Sequence, residues 1–200
     1  MSFTPHFPDL TPVDEYNGIF YKRDDFYAPY ENFITGGKIR QCRDLVEKNL
    51  DYIHDKCNST ISTAASIHSP QSPIVSRVAQ EFGLKSIIGF GNTTIEKALK
   101  HKMMQKCKEL GSELVVLSES QGFNNVLYHN LHKLSETTPM FKILFGYAAQ
   151  SHRESIITRI AEQIENVDCD VLYVPVGSGV TLSGILEGVK MFQKQFKVIG

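Results

Sequence analysis

Two hundred residues, 42% of them hydrophobic, fit one compact domain or two small ones and can bury a core without disulfides or metal. Lys+Arg 21 against Asp+Glu 22 leaves a net charge of −1, which argues against a nucleic-acid binder working through bulk charge. No apolar run approaches the ~18 residues of a membrane span, and the opening residues show no secretory pattern.

Pro5, Pro8 and Pro12 keep the stretch up to about Gly18 irregular. Ile19, Phe20 and Tyr21 read as a short strand running into Lys22, Arg23, Asp24 and Asp25. A loop rich in aromatics follows, and Leu45, Val46, Leu50 and Ile53 mark a helix over 39–53. Residues 60–66 form a small-residue strand. Ser72 and Pro73 then suit a helix cap and first turn, and Gly83 ends that helix. Strand 86–90, helix 95–110 and strand 113–117 come next, whereas 119–139 gives no clear pattern. A strand over 141–145, an amphipathic helix over 156–164, a buried-type strand over 171–176 and a helix over 182–189 complete the series. Residues 196–200 open another strand, which suggests a fragment or one part of a longer protein. Strands alternating with helices of this length predict an α/β fold with a parallel sheet in three αβα layers.

Cys42, Cys57, Cys107 and Cys169 contain no CxxC pair, so reduced thiols and a cytoplasmic location are expected. His129 and His132 form an HxxH with no acidic or cysteine partners nearby, so no metal site is expected. Residues 89–94 resemble a dinucleotide loop, but Thr94 stands where the third glycine belongs, and a tight turn with an Asn or Thr cap explains them.

Two features carry chemistry. At Gly177, Ser178, Gly179, Val180 and Thr181 a strand feeds a glycine-rich loop that opens into a helix. Its free N–H groups and positive dipole end suit a phosphate. Lys38 follows Gly36 and Gly37 where a loop enters a helix. There the same dipole favours the neutral, partly buried amine that Schiff-base chemistry needs. An amine poised for an aldehyde and a separate phosphate cradle together point to pyridoxal phosphate.

Tyr21 to Asp25 (YKRDD) followed by Gly36 to Arg40 (GGKIR) resembles the opening of the fold-type II, tryptophan synthase β-like, pyridoxal-phosphate enzymes. The branch it resembles most contains D-cysteine desulfhydrase and 1-aminocyclopropane-1-carboxylate deaminase. The loop Ser66, Ile67, His68, Ser69, Pro70, Gln71 and the turn Phe82 to Lys85 continue the resemblance, which runs from about Ile19 to Gly200. It implies two domains with the cofactor in the cleft: residues 1–49 begin the large domain, 50–146 form the small one, and 147–200 return to the large one. It implies that Lys38 carries the cofactor, that residues 177–181 grip its phosphate, and that Ser69, with His68 or Gln71, meets an amino-acid-like substrate. The implied activity is that of a lyase or deaminase, in a homodimer with no membrane or nucleic-acid partner indicated.

Three features depart from the family pattern. Gly37 replaces the asparagine before the lysine, Pro70 replaces a loop asparagine that contacts the cofactor ring, and the family chain continues beyond this strand. They leave two alternatives open: a divergent member acting on a larger amino-acid conjugate, with decarboxylation as one outcome, or a non-catalytic cofactor-binding fragment or partner of a split enzyme.

Overall fold

A computed structural model describes residues 9–147 and 153–200, and the chain divides into two compact units. One unit is Cys42–Tyr147. The other joins the chain before Cys42 to the chain after Tyr147, so the division falls within the helix α1 (Gly37–Glu47). Pro5 and Pro8 lie outside the described residues.

In the Cys42–Tyr147 unit, α2 (Leu50–Lys56) leads into β3 (Thr60–Ala64), counting two earlier strands of the other unit. Then come α3 (Gln71–Glu81), β4 (Lys85–Gly91), α4 (Ile95–Ala98), α5 (Lys102–Glu109), β5 (Glu113–Ser118), α6 (Asn124–Thr137) and β6 (Phe141–Lys142). The four strands pair in parallel in the order β5-β4-β3-β6. Parallel neighbours need crossover connections, and the helices supply them.

Side chains alternate across β4, and the alternation assigns the layers. Ser86 bonds Ser112, which bonds Ser76 of α3, both at 2.7 Å. The next residue, Ile87, packs with Ala64, Leu127, Leu131 and Met140 on the α6 side. Helices α3 and α6 therefore cover opposite faces, giving the expected αβα layering. Each fully buried Leu or Ile in that cluster contributes about 1.5–3 kcal/mol.

The expected helix over 39–53 is two helices. The Asn49 side chain donates to Leu45 O (2.6 Å) and occupies a carbonyl left open at the end of α1. The expected helix over 95–110 is also two, because His101 leaves helical conformation (φ −96, ψ 132) and starts α5. Thr94 caps α4 by accepting from Lys97 N, as a tight turn requires. The unreadable stretch 119–139 contains α6, a 14-residue helix.

The other unit opens with β1 (Val13–Tyr16) and β2 (Ile19–Lys22), an antiparallel hairpin whose second strand was expected and whose first lies in the stretch up to Gly18 expected to be irregular. Asn17 (φ 53) and Gly18 (φ 76) make a turn with two positive φ angles, whose twist matches that of the strands. After Arg153 the unit holds α7 (Arg153–Ala161), β7 (Val171–Tyr173), α8 (Val180–Met191) and β8 (Lys197–Ile199). Helix α7 tightens into a 3-10 turn at Glu162–Ile164.

Strands β7 and β8 pair in parallel, and β7 is shorter and more exposed than its apolar composition suggested. Tyr173 is 73% exposed, because among the described residues the sheet has only two strands and little covers it. Helices α7 and α8 approach closely at Gly184 and Gly188. A Cβ at either would collide with Ile160, or with the Ala161 carbonyl and Ile164. Among the described residues no helix is long and apolar enough to cross a membrane.

Candidate cofactor and substrate site

The two stretches that carry the family resemblance meet at Asp24. Its Oδ1 accepts from Arg40 Nη1 (3.2 Å) and Thr11 Oγ1 (3.5 Å). Its Oδ2 lies where a Cβ on Gly37 would stand, so a side chain at position 37 requires Asp24 to move. This is a local physical reason for glycine instead of asparagine before Lys38.

Arg40 is 3% exposed and compensated on every side. It donates to Asp9 Oδ1 (2.9 Å) and Asp9 O (3.0 Å), and its guanidinium stacks 4.3 Å over the Tyr27 ring. Arg23 pairs with Asp14 (2.6 Å) and Asp25 (2.8 Å). Lys22 Nζ donates to Thr11 O (2.5 Å) and Asn166 Oδ1 (2.8 Å), and burial lowers its pKa from the usual 10.5 to about 8.

Lys38 is the second residue of α1, behind Gly36 (φ 115), whose N–H bonds Tyr27 O at 2.8 Å. Its side chain is exposed, where partial burial was expected, and it makes no hydrogen bond or ion pair with the described residues. The amine is thus free to take an aldehyde.

In the same unit, the loop of Gly177, Ser178 and Gly179 opens α8 at Val180 and Thr181. Gly179 sits in left-handed conformation (φ 80), which favours glycine, and it caps the helix without a side-chain bond. The first carbonyl bond of the helix runs from Ser183 N to Gly179 O (2.9 Å). The N–H groups of the first turn are therefore uncapped at the positive end of the dipole. A Cβ built on Gly177 or Gly179 meets nothing within 4 Å, so the cradle is open. A phosphate and an aldehyde are the two handles of pyridoxal phosphate, and these residues fit both.

His68, Ser69 and Gln71 belong to the other unit, in the loop after β3 and at the start of α3. The chain moves from β3 to β4 on one side and returns to β6 on the other, so β3 borders the switch point of the sheet. Ligands of open parallel sheets bind beside the carboxyl ends of strands at such a point. Ser69 is half-buried there, and its Oγ accepts from Gln71 N (3.2 Å), which leaves the hydroxyl proton to donate. That bond also starts α3 two residues earlier than expected. Pro70 takes the cap position, and Ser72 Oγ, the expected cap, is buried with no partner among the described residues.

Gln71 does not fit the substrate role expected of it. It is 1% exposed, and its amide donates to Thr63 Oγ1 (2.7 Å), Tyr128 OH (3.3 Å) and Leu144 O (3.1 Å) while accepting from Gly146 N (3.2 Å). The helix turns this side chain into the sheet, where it ties β3 to the segment after β6. His68 is exposed, and its Nδ1 lies 2.7 Å from His101 Nε2. Reading the sequence alone missed His101, 33 positions away, as it missed the Asp24–Arg40 pair. Both need the fold to become neighbours.

No family model matches the chain. It is 28% identical over 198 residues to the O-seryl-dTMP PLP-dependent decarboxylase of Salmonella phage ViI, covering 88% of this chain and 44% of that protein. Among solved structures, an ACC deaminase homologue superposes with a TM-score of 0.67 at 22% identity, over 88% of this chain and 53% of that one. The processed form of threonine deaminase isoform 2 from Solanum lycopersicum gives 0.67 at 20% identity, over 90% and 45%. Cysteine synthase from Entamoeba histolytica gives 0.66 at 17%, over 94% and 56%. The chain thus spans about half the length of the proteins it matches. Three motifs in order, an open αβα sheet and these superpositions agree: the chain has the fold of the fold-type II, tryptophan synthase β-like, pyridoxal-phosphate-dependent enzymes.

Proposed function

We propose that this chain is the cofactor-binding part of a pyridoxal-phosphate-dependent lyase or deaminase acting on an amino acid. The observation that carries the reading is a partnerless, exposed Lys38 amine in the same unit as the uncapped glycine loop. Lys38 holds the cofactor's aldehyde carbon, and Gly177, Ser178, Gly179, Val180 and Thr181 hold its phosphate through backbone N–H groups. When bound, pyridoxal phosphate supplies an electron sink for the bond broken at the substrate's α-carbon. The Lys38 amine would move the proton at that carbon. The Ser69 hydroxyl donates to the substrate carboxylate, and His68 lies beside it. The division near Cys42 and Tyr147 supports residues 50–146 as the small domain, with 1–49 and 147–200 in the large one. Four free cysteines support a reducing, cytoplasmic setting, and a homodimer is the assembly proposed with it.

Titration with pyridoxal phosphate, followed by visible absorbance, tests the reading. Gly177→Asp has room for its side chain and sets a carboxylate against the phosphate. It should weaken cofactor binding at least about tenfold, a cost of about 1.4 kcal/mol. Wild-type affinity in that variant would remove the loop from the site.

A second reading is decarboxylation of an amino acid carried on a nucleotide. It is supported by the 28% identity to the phage decarboxylase, above the 17–22% of the three structural neighbours. Offering a nucleotide-linked serine and measuring carbon dioxide against ammonia separates the two readings.

A further inference from the structure

Strands β3 and β4 are parallel, so α3 runs back between them and starts at the carboxyl end of β3. The first N–H groups of a helix have no partner within it and suit an anionic ligand. At this helix start they are absent, spent or buried. Ser69 N bonds Ser66 O (2.9 Å), and Gln71 N bonds Ser69 Oγ (3.2 Å). Pro70 and Pro73 have no N–H at all. Ser72 N remains, but Ser72 is completely buried.

Residues 71–76 are buried, Ser69 is half-buried, and Pro70 is the exposed residue at the head of the helix. A ligand approaching the helix start therefore meets a proline, which offers neither a backbone donor nor a polar side chain. The loop before it is also turned inward, since His68 N bonds Ser66 Oγ (3.3 Å). Within residues 69–73 the accessible donor is the Ser69 hydroxyl.

The supply of donors bears on which bond of the substrate breaks. When an α-proton is removed, the carboxylate keeps its charge throughout, and donors to it do not oppose the step. When carbon dioxide leaves, the bond between the carboxylate carbon and the α-carbon breaks. Its electron pair stays on the α-carbon side, the departing group becomes neutral, and a proton from solvent later takes its place. Donors to the carboxylate then stabilise the starting state more than the transition state, and they slow the step. We propose that Pro70 directs this site toward loss of carbon dioxide by withholding a backbone donor from the substrate carboxylate. This rests on the second reading above, in which a nucleotide-linked amino acid is decarboxylated, and it names a residue that determines that outcome.

Pro70→Ala restores the N–H at the exposed position, and the backbone there (φ −68, ψ −14) is one that alanine adopts readily. The test is calorimetric titration of the chain loaded with pyridoxal phosphate and reduced with borohydride, so that no ligand turns over. The ligands are a nucleotide-linked serine and the nucleotide-linked ethanolamine that lacks its carboxylate. Wild type should bind the two with similar affinity. Pro70→Ala, and Pro70→Gly with it, should shift the ratio toward the serine ligand by about tenfold, or about 1.4 kcal/mol. Pro73→Ala restores an N–H at a buried position and should keep the wild-type ratio. An unchanged ratio in both Pro70 variants would overturn the proposal, as would an equal shift in Pro73→Ala or failure of wild type to bind either ligand. Products measured on the unreduced chain separate the two claims. Carbon dioxide release with an unchanged ratio removes the role of Pro70 and leaves the second reading standing. Ammonia release overturns the second reading, and the proposal with it.

Discussion

Asp24 holds two stretches of sequence together with one carboxylate, and Gly37 is the position that gives way to it. Gly37→Asn restores the residue the family pattern expects, yet it should destabilise the fold by about 1–3 kcal/mol, the usual cost of overpacking. Urea denaturation measures this, and Asp24→Ala in the same chain should recover part of the loss. Lys22 gives a second test at this scale. Its pKa lies at about 8 when folded and near 10.5 when unfolded, chiefly through burial. Below pH 8 both states carry the charge and the burial penalty is complete. Between about 8 and 10.5 the unfolded state binds more protons, so this residue's contribution to stability rises with pH. Buried thiols such as Cys107, pushed up to about 11, act in the opposite sense above pH 9. The difference between wild type and Lys22→Met cancels them, and it should move in favour of wild type from pH 8 to 10.5. A flat difference contradicts the burial of the amine. Lys38 and the glycine loop could be picked out in the sequence because each borders a helix start. Gln71 was misread because adjacency to Ser69 says nothing about which way the first helical turn points a side chain.

Between elements, the closest approach is that of α7 and α8. Gly188 has the Ala161 carbonyl and Ile164 where a Cβ would stand, so the helices must separate to admit even a methyl group. Gly188→Ala should therefore lower stability despite alanine's better helix propensity, by about 1–3 kcal/mol. A thermal melt checks the sign, and a stabilised variant would mean the helices do not pack this tightly. The alternation of strands and helices was legible because the apolar spacing changes from two to about four residues at each junction. The hairpin at Asn17 and Gly18 was also legible, since Asn-Gly is a strong turn signal, but the neighbouring prolines drew the reading toward irregular structure. Helix α6 hides behind polar residues, with Leu127, Tyr128, Leu131 and Leu134 marking its inner face. The breaks at Asn49 and His101 depend on side-chain bonds to Leu45 O and His68, which local propensity does not encode.

At the scale of the molecule, landmarks in order identified the fold, while composition misjudged burial. Val171, Leu172 and Tyr173 read as an interior strand, yet Tyr173 is largely exposed in a two-stranded sheet. Lys38 and the 177–181 loop belong to one unit and Ser69 to the other. Everything proposed about chemistry depends on Lys38 being the residue that takes the cofactor. Incubation with pyridoxal phosphate, borohydride reduction and peptide mapping tests this directly. The account predicts a pyridoxyl label on Lys38, abolished in Lys38→Ala. A label on the partly buried Lys22, or on the exposed Lys85, would contradict it.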